Sequence, residues 1–314
     1  MNARLVLLIA AFISFAEGSN SKCVIQPKPP AKISQTCFAG LKDFFEYEPQ
    51  YPSYSDGASK RRWVYLPRGL KIQTKDLDNW IFPKGTVVFK EFSIGTTKIE
   101  TRVLEKTTDQ SGPDAWRFTN YAWTGDQKDA ELVTSSFYDK KDLSRFSAAT
   151  IQNQFKIVMP NDCVRCHAGV RDVVNGFNYL QLSSDSIGFN VFRAGDVGML
   201  SSAPKIFDKI QGSDLDRRAI GYIQSNCAIC HAANGPGVGN FTHSYLVTSR
   251  DSENLILSGL VVKGSPDQSF LYKMFSSGRM PQFSPVNQDT EGVSLIRDWI
   301  IGLEPRSLGI QKSN

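Results

Sequence analysis

Cys163-Val164-Arg165-Cys166-His167 and Cys227-Ala228-Ile229-Cys230-His231 share one pattern, C-x-x-C-H, and the second His follows the first by 64 positions. The pattern is the attachment signature of a c-type haem. Its spacing has a chemical reason: two thiols add across the two vinyl groups, and the adjoining imidazole is held over the iron as an axial ligand. The chain has six Cys and three His, and these two stretches take four of the Cys and two of the His. Two covalently attached haems are therefore expected, held by Cys163, Cys166 and His167 and by Cys227, Cys230 and His231. Other chemistries also use paired cysteines. A structural zinc site needs no His directly after each pair and usually has its pairs closer together. A dithiol redox pair belongs in a thioredoxin-like βαβ context, which neither stretch has. Two ordinary disulfides leave both His unexplained.

The N-terminus points to the same compartment. Met1 to Arg4 is a short basic segment, Leu5 to Phe15 is apolar, and Ala16 or Gly18 offers a small-residue cleavage site. This reads as a signal peptide over residues 1–18, with an uncleaved anchor as the alternative. Attachment of haem to C-x-x-C-H also takes place outside the cytoplasm, so a periplasmic or secreted protein with no later membrane span is expected. Cys23 and Cys37 lie 14 apart in such a chain, where a disulfide is the default and two free thiols the alternative. Closing that Pro-rich loop would contribute about 3 kcal/mol. The formal charge of +5 is offset in large part by the propionates of two haems. No basic run with interleaved aromatics suggests nucleic acid.

Residues 19–45 read as an irregular lead-in. From 46 to 150 the texture is β. Ile99, Thr101 and Val103 alternate with Glu100 and Arg102, the period-2 pattern of a half-buried strand. Trp63 to Leu66, Thr86 to Ile94 and Ala115 to Trp123 are further β-rich runs. Pro67-Arg68-Gly69, Pro83-Lys84-Gly85, Gly95 and Gly112-Pro113-Asp114 punctuate them. The spacing predicts an antiparallel, sandwich-like domain, with a barrel as the alternative. Its aromatics (Trp63, Trp80, Phe89, Trp116, Trp123 among them) read as a sheet core, or alternatively as a carbohydrate or aromatic-substrate platform. Arg61-Arg62 reads as a solvated strand end or as a site for an anion or haem propionate. This half contains no His, and no catalytic set can be read in it.

Residues 151–314 read as an α-helical haem region, so the fold class expected is α+β. A helix begins at Ser213, where Ser213 and Asp216 resemble a capping box, and it delivers Cys227 at its C-terminal end. Gly235 to Gly239 reads as a loop around the haem edge. Ser265-Pro266-Asp267 predicts a helix start running to about Phe275. A last helix begins near Asp289-Thr290, carries Val293, Ile296, Trp299 and Ile300 on one stripe, and stops at Gly302.

The sixth ligands are read from the few remaining candidates. A thioether opposite His231 would raise that haem's potential. Met280 follows His231 by 49 positions in a loop fixed by Pro281, with Met274 as its rival. For the first haem the candidates are Met199, His243 or Met159, with water or an open position as the alternative.

The stretch Asn226-Cys227-Ala228-Ile229-Cys230-His231, then Gly264-Ser265-Pro266-Asp267-Gln268-Ser269-Phe270-Leu271, Arg279-Met280-Pro281 and Trp299-Ile300, resembles the second half of a group of exported bacterial dihaem c-type cytochromes. The first half is similar to that group's β-rich module at Ser55 to Gly69, Phe82 to Thr86, Glu100 to Arg102 and Trp123 to Ala130. The resemblance spans about residues 46–303. It implies one-electron transfer with an unidentified redox partner protein, and it supports Met280 as a ligand of the second haem. The rivals are a dihaem peroxidase-like oxidoreductase with one open haem, and a β module that binds a polymer or partner and is coupled to an electron-transfer domain.

Overall fold

A computed structural model describes residues 23–137, 146, 155–169, 172–232, 235, 237, 256, 258–281 and 287–303. The expected signal peptide and His243 lie outside the described residues. The chain is α+β. Strands β1 (Phe45–Glu46), β2 (Ser59–Tyr65), β3 (Val87–Ile94), β4 (Thr97–Lys106), β5 (Trp116–Trp123) and β6 (Ala130–Leu132) form one sheet in sequence order. Every pairing is antiparallel. The β-rich runs read from the sequence are β2 to β5, and the turn signals fall between them. At Gly85 the φ of +90° and the approach of the Pro67 ring leave no room for a side chain: a Cβ there would lie 2.8 Å from Pro67 Cγ.

The sandwich expectation is corrected. The described strands make a single meander, and its two faces are covered by helices and loops rather than by a second sheet. Val64, Val88 and Leu104 on one face pack with Phe177, Leu182, Val191 and Leu200. On the other face Trp63, Phe89, Val103 and Trp123 pack with Ile33 and Phe38 of the lead-in, which the Cys23–Cys37 disulfide closes with its Cα atoms 5.2 Å apart. The half-buried reading of Ile99 to Val103 is corrected with it: Glu100 is as buried as Ile99, and strands buried on both faces need two covering layers. The sequence pattern does not say what the layers are made of. The aromatics resolve to the core reading: Trp63, Trp80, Phe89, Trp116 and Trp123 are all buried.

Helices α1 (Pro160–His167), α2 (Val191–Asp196), α3 (Asp214–Asn226), α4 (Phe270–Ser276) and α5 (Thr290–Gly302) follow the sheet. The capping box at α3 is formed: Asp216 N donates to Ser213 Oγ at 3.2 Å, and Ser213 N donates to Asp216 Oδ2 at 2.8 Å. Asp289 caps α5 through Gly292 N at 2.9 Å. Ile296, Trp299 and Ile300 of α5 pack with Ala219, Ile220 and Ile223 of α3, each large side chain worth about 1.5–3 kcal/mol on burial. The expected helix from Ser265 differs. Pro266–Gln268 is one 3-10 turn, and α4 starts only at Phe270. Ser269 turns its hydroxyl back to Val262 O and Ser265 O, competing with the helix in the way such side chains do. Among the described residues no helix is long and apolar enough to cross a membrane.

Candidate functional site

Helix α1 is the first C-x-x-C-H stretch together with its Pro160 start, a first-turn residue that loses no hydrogen bond there. It packs against β5, and this sets the surroundings of its side chains. Cys163 is buried, with Sγ 3.7 Å from Asn120 Oδ1 on β5 and 3.8 Å from Met159 O. His167 is 8% exposed, and the ring of Phe118 meets its imidazole edge-on at 5.5 Å. Its Nδ1 is hydrogen-bonded to Val173 O. That contact assigns the proton to Nδ1 and leaves Nε2 as the free lone pair, the arrangement a metal-ligating imidazole needs. Burial depresses the His167 pKa to about 3, with the Lys90 charge adding to it, so the ring is neutral.

The acceptor for His167 is held by a strained turn. Val173 has φ +56°, which a β-branched residue adopts only when its surroundings force it. Its neighbour Asp172 is firmly anchored. Its buried carboxylate accepts from Trp116 Nε1 at 2.8 Å and from Phe82 N at 2.6 Å, and it pairs with the equally buried Lys106. Asn175 closes the other side of the turn, with Nδ2 donating to Cys166 O at 2.9 Å. Asp172 and Asn175 were not singled out from the sequence. Their closeness to His167 in the chain was the one available signal.

The second stretch caps α3. Cys227 is the C-cap residue, and the N–H groups of Cys230 and His231 both donate to Cys227 O, at 3.1 and 2.9 Å. Gly237 returns to this turn and donates to Cys230 O at 3.0 Å. A Cβ at Gly237 would lie 2.6 Å from His231 Nδ1, so the glycine is what lets the loop lie against the imidazole.

The two stretches touch. Cys230 Sγ is 3.6 Å from Arg165 O. A Cβ at Gly169, just past α1, would lie 2.0 Å from Ile229 O. The Cys166 and Cys230 thiols stand close enough to interact, which holds the Cys166 thiol below its ordinary range and pushes that of Cys230 up. Burial raises Cys163 to about 11 and Cys227 to about 12. The alternative of two disulfides, one within each stretch, is not seen: all four cysteines are free. Among the described residues no group of three or more His, Cys, Asp or Glu is placed to hold a metal ion.

Both stretches open on one cavity of about 1040 Å³, lined by Cys166, His167, Cys227, Cys230 and His231. Met280 and its rival Met274 line the same cavity, and Met280 N donates to Met274 O at 3.1 Å. Met199 is placed elsewhere. It is 3% exposed in the apolar core with Trp80, Val191 and Leu200 and is not among the residues that line the cavity. Met159 is half-buried at the N-cap of α1, against Phe155 and Ile157. The Arg61-Arg62 pair is divided by the strand pleat. Arg61 lies exposed and paired with Glu46 at 2.8 Å, whereas Arg62 is 4% exposed and lines the cavity. Comparison with family models, with curated proteins and with solved structures finds no match.

Proposed function

We propose that the chain is an exported dihaem c-type cytochrome that transfers single electrons. One observation carries this reading: two C-x-x-C-H stretches, distant in sequence, meet at one large cavity, each turning its His toward it. Bound haem would supply one-electron chemistry through ferrous and ferric iron. The chain's residues do the rest. Cys163 and Cys166, and Cys227 and Cys230, would provide the thioether sulfurs, with Cys163 buried against Asn120 and not among the residues that line the cavity. His167 presents a neutral Nε2, with its other nitrogen fixed by Val173 O. Met280 is the proposed sixth ligand of the second haem, from the cavity wall it shares with His231. The contact between Gly169 and Ile229 O keeps the two attachment sites adjacent, as rapid passage of an electron between them requires. The Cys23–Cys37 disulfide supports an oxidising compartment.

A second reading follows from the position of Met199. Neither Met199 nor Met159 lines the cavity, and His243 lies outside the described residues; an iron left open at the first haem would make the protein a haem oxidoreductase. The absorption spectrum of the reduced protein with and without CO separates the two. The carrier reading expects no change on adding CO. A prompt change in one haem's Soret band contradicts it and favours the oxidoreductase.

A further inference from the structure

The cavity face of the sheet carries charge that the protein itself does not balance. Arg62, Lys90 and Arg102 stand directly opposite one another on β2, β3 and β4, with Asn120 next on β5. Like charges directly opposite are destabilising even at a surface; here Arg62 and Lys90 are buried, at 4% and 8% exposed, and Arg102 is half-buried. Lys60, one pleat further along the same face, adds a fourth cation to the cavity wall. The compensation is small. Arg102 pairs with Glu100 at 2.9 Å, yet its Nε is a buried donor with no acceptor among the described residues. Lys60 is held by Ser53, with Nζ 2.9 Å from its Oγ. Arg62 and Lys90 each make one hydrogen bond, to Lys60 O and Asn175 O, both at 3.5 Å, the outer limit of such a bond. Among the described residues no carboxylate is paired with Lys60, Arg62 or Lys90.

A buried cation without a counter-charge costs several kcal/mol. Burial pushes Lys90 down to about 7 and Lys60 well below the usual lysine range, so the row holds its full charge only when anions stand beside it in the cavity. The row also has a direction. Its Asn120 end touches Cys163, and the cations lie progressively further across the sheet, each strand adding about 4.8 Å. A c-type haem is anchored by its vinyl edge at the cysteines, and its two propionates project from the opposite edge. The charges of Lys90 and Arg102 act on Cys163, Cys166 and His167, which associates the row with the first attachment site.

We infer that Arg62, Lys90 and Arg102 form a carboxylate-binding row that holds the propionates of the first haem, making the β-sheet part of that haem's site. This inference rests on the dihaem reading. Buried cations beside the propionates oppose the gain of positive charge on oxidation, so they raise that haem's reduction potential.

The test is a spectroelectrochemical titration, with resonance Raman spectra of the propionate-bending bands, on holo-protein whose intact mass shows two haems. Arg62→Gln and Lys90→Gln are each expected to lower one of the two potentials, leave the other in place and shift one propionate band. Arg61→Gln, on the solvent-facing side of the same strand, is expected to change nothing. Arg62→Lys keeps the charge but loses the planar fork, so it should hold the potential and shift only the band. It retains a readout should the neutral variants not fold. Unmoved potentials and unmoved bands in holo variants would overturn the inference. Wild-type potentials that respond to added acetate would also overturn it, by showing that a free carboxylate occupies the row. A wild-type mass lacking two haems would remove the dihaem reading as well, so the two failures are distinguishable.

Discussion

Asp172 is the residue on which most of the site's geometry converges. It joins Lys106, Trp116 and the Phe82 amide and fixes the turn that presents Val173 O to His167. Asp172→Ala would strand the fully buried Lys106 charge, and breaking such a pair costs about 3–5 kcal/mol. Denaturant unfolding of the holo-protein checks this, with Asp172→Asn expected to be milder. The pH dependence follows from His167. Its folded-state pKa lies at about 3, below the unfolded value of 6.5. Between those values the unfolded chain binds a proton that the folded one refuses, so the unfolded state gains. The stability contribution is thus intact above pH 6.5 and is lost as the pH falls toward 3. Unfolding midpoints of protein produced without haem, in which no iron holds the imidazole, should decline across that window, and a flat profile there would contradict the buried neutral imidazole. At this scale the cysteines and both His were legible, because their chemistry sits in a contiguous pattern. Asp172 was not, since a single carboxylate in a loop has no pattern until the fold gives it partners.

The elements divide in the same way. Strands β2 to β5 and the caps of α3 and α5 could be read because they depend on local signals: alternation, turn glycines, and Ser or Asp ahead of an apolar stripe. Ser213→Ala should cost about 1 kcal/mol through loss of the reciprocal capping bonds, measured by thermal or denaturant unfolding. The helix expected from Ser265 failed where local signals conflict, as Ser269 bonds backward instead of letting the turn propagate. The close approach of the two C-x-x-C-H elements was not legible either, since it is made by tertiary packing across a span of 64 residues. Gly169→Ala tests it. The added methyl meets backbone at Ile229 O, so a cost of about 1–3 kcal/mol is expected, with slower electron exchange between the haems. An unchanged protein would show that the stretches are not in contact.

For the molecule as a whole, the sequence suggested a β domain followed by a separate helical haem domain. In the structure the sheet packs with residues of 172–200 in one apolar cluster, and α3 and α5 pack in another. Residues 151–314 expressed alone should therefore lack cooperative unfolding, because the surface formed by Phe177, Leu182 and Leu200 would lose the sheet it packs on. Circular dichroism through a thermal ramp checks this, and a sharp transition in the fragment would show that the two regions fold as separate domains. The central claim remains the pair of covalent haems. Its most direct test is the intact mass of the protein produced in a host with cytochrome c maturation, compared with a Cys227→Ala, Cys230→Ala variant. The account predicts the mass of the polypeptide plus two haems, falling by one haem in the variant. A polypeptide without haem, or a single haem unaffected by the substitutions, would contradict it.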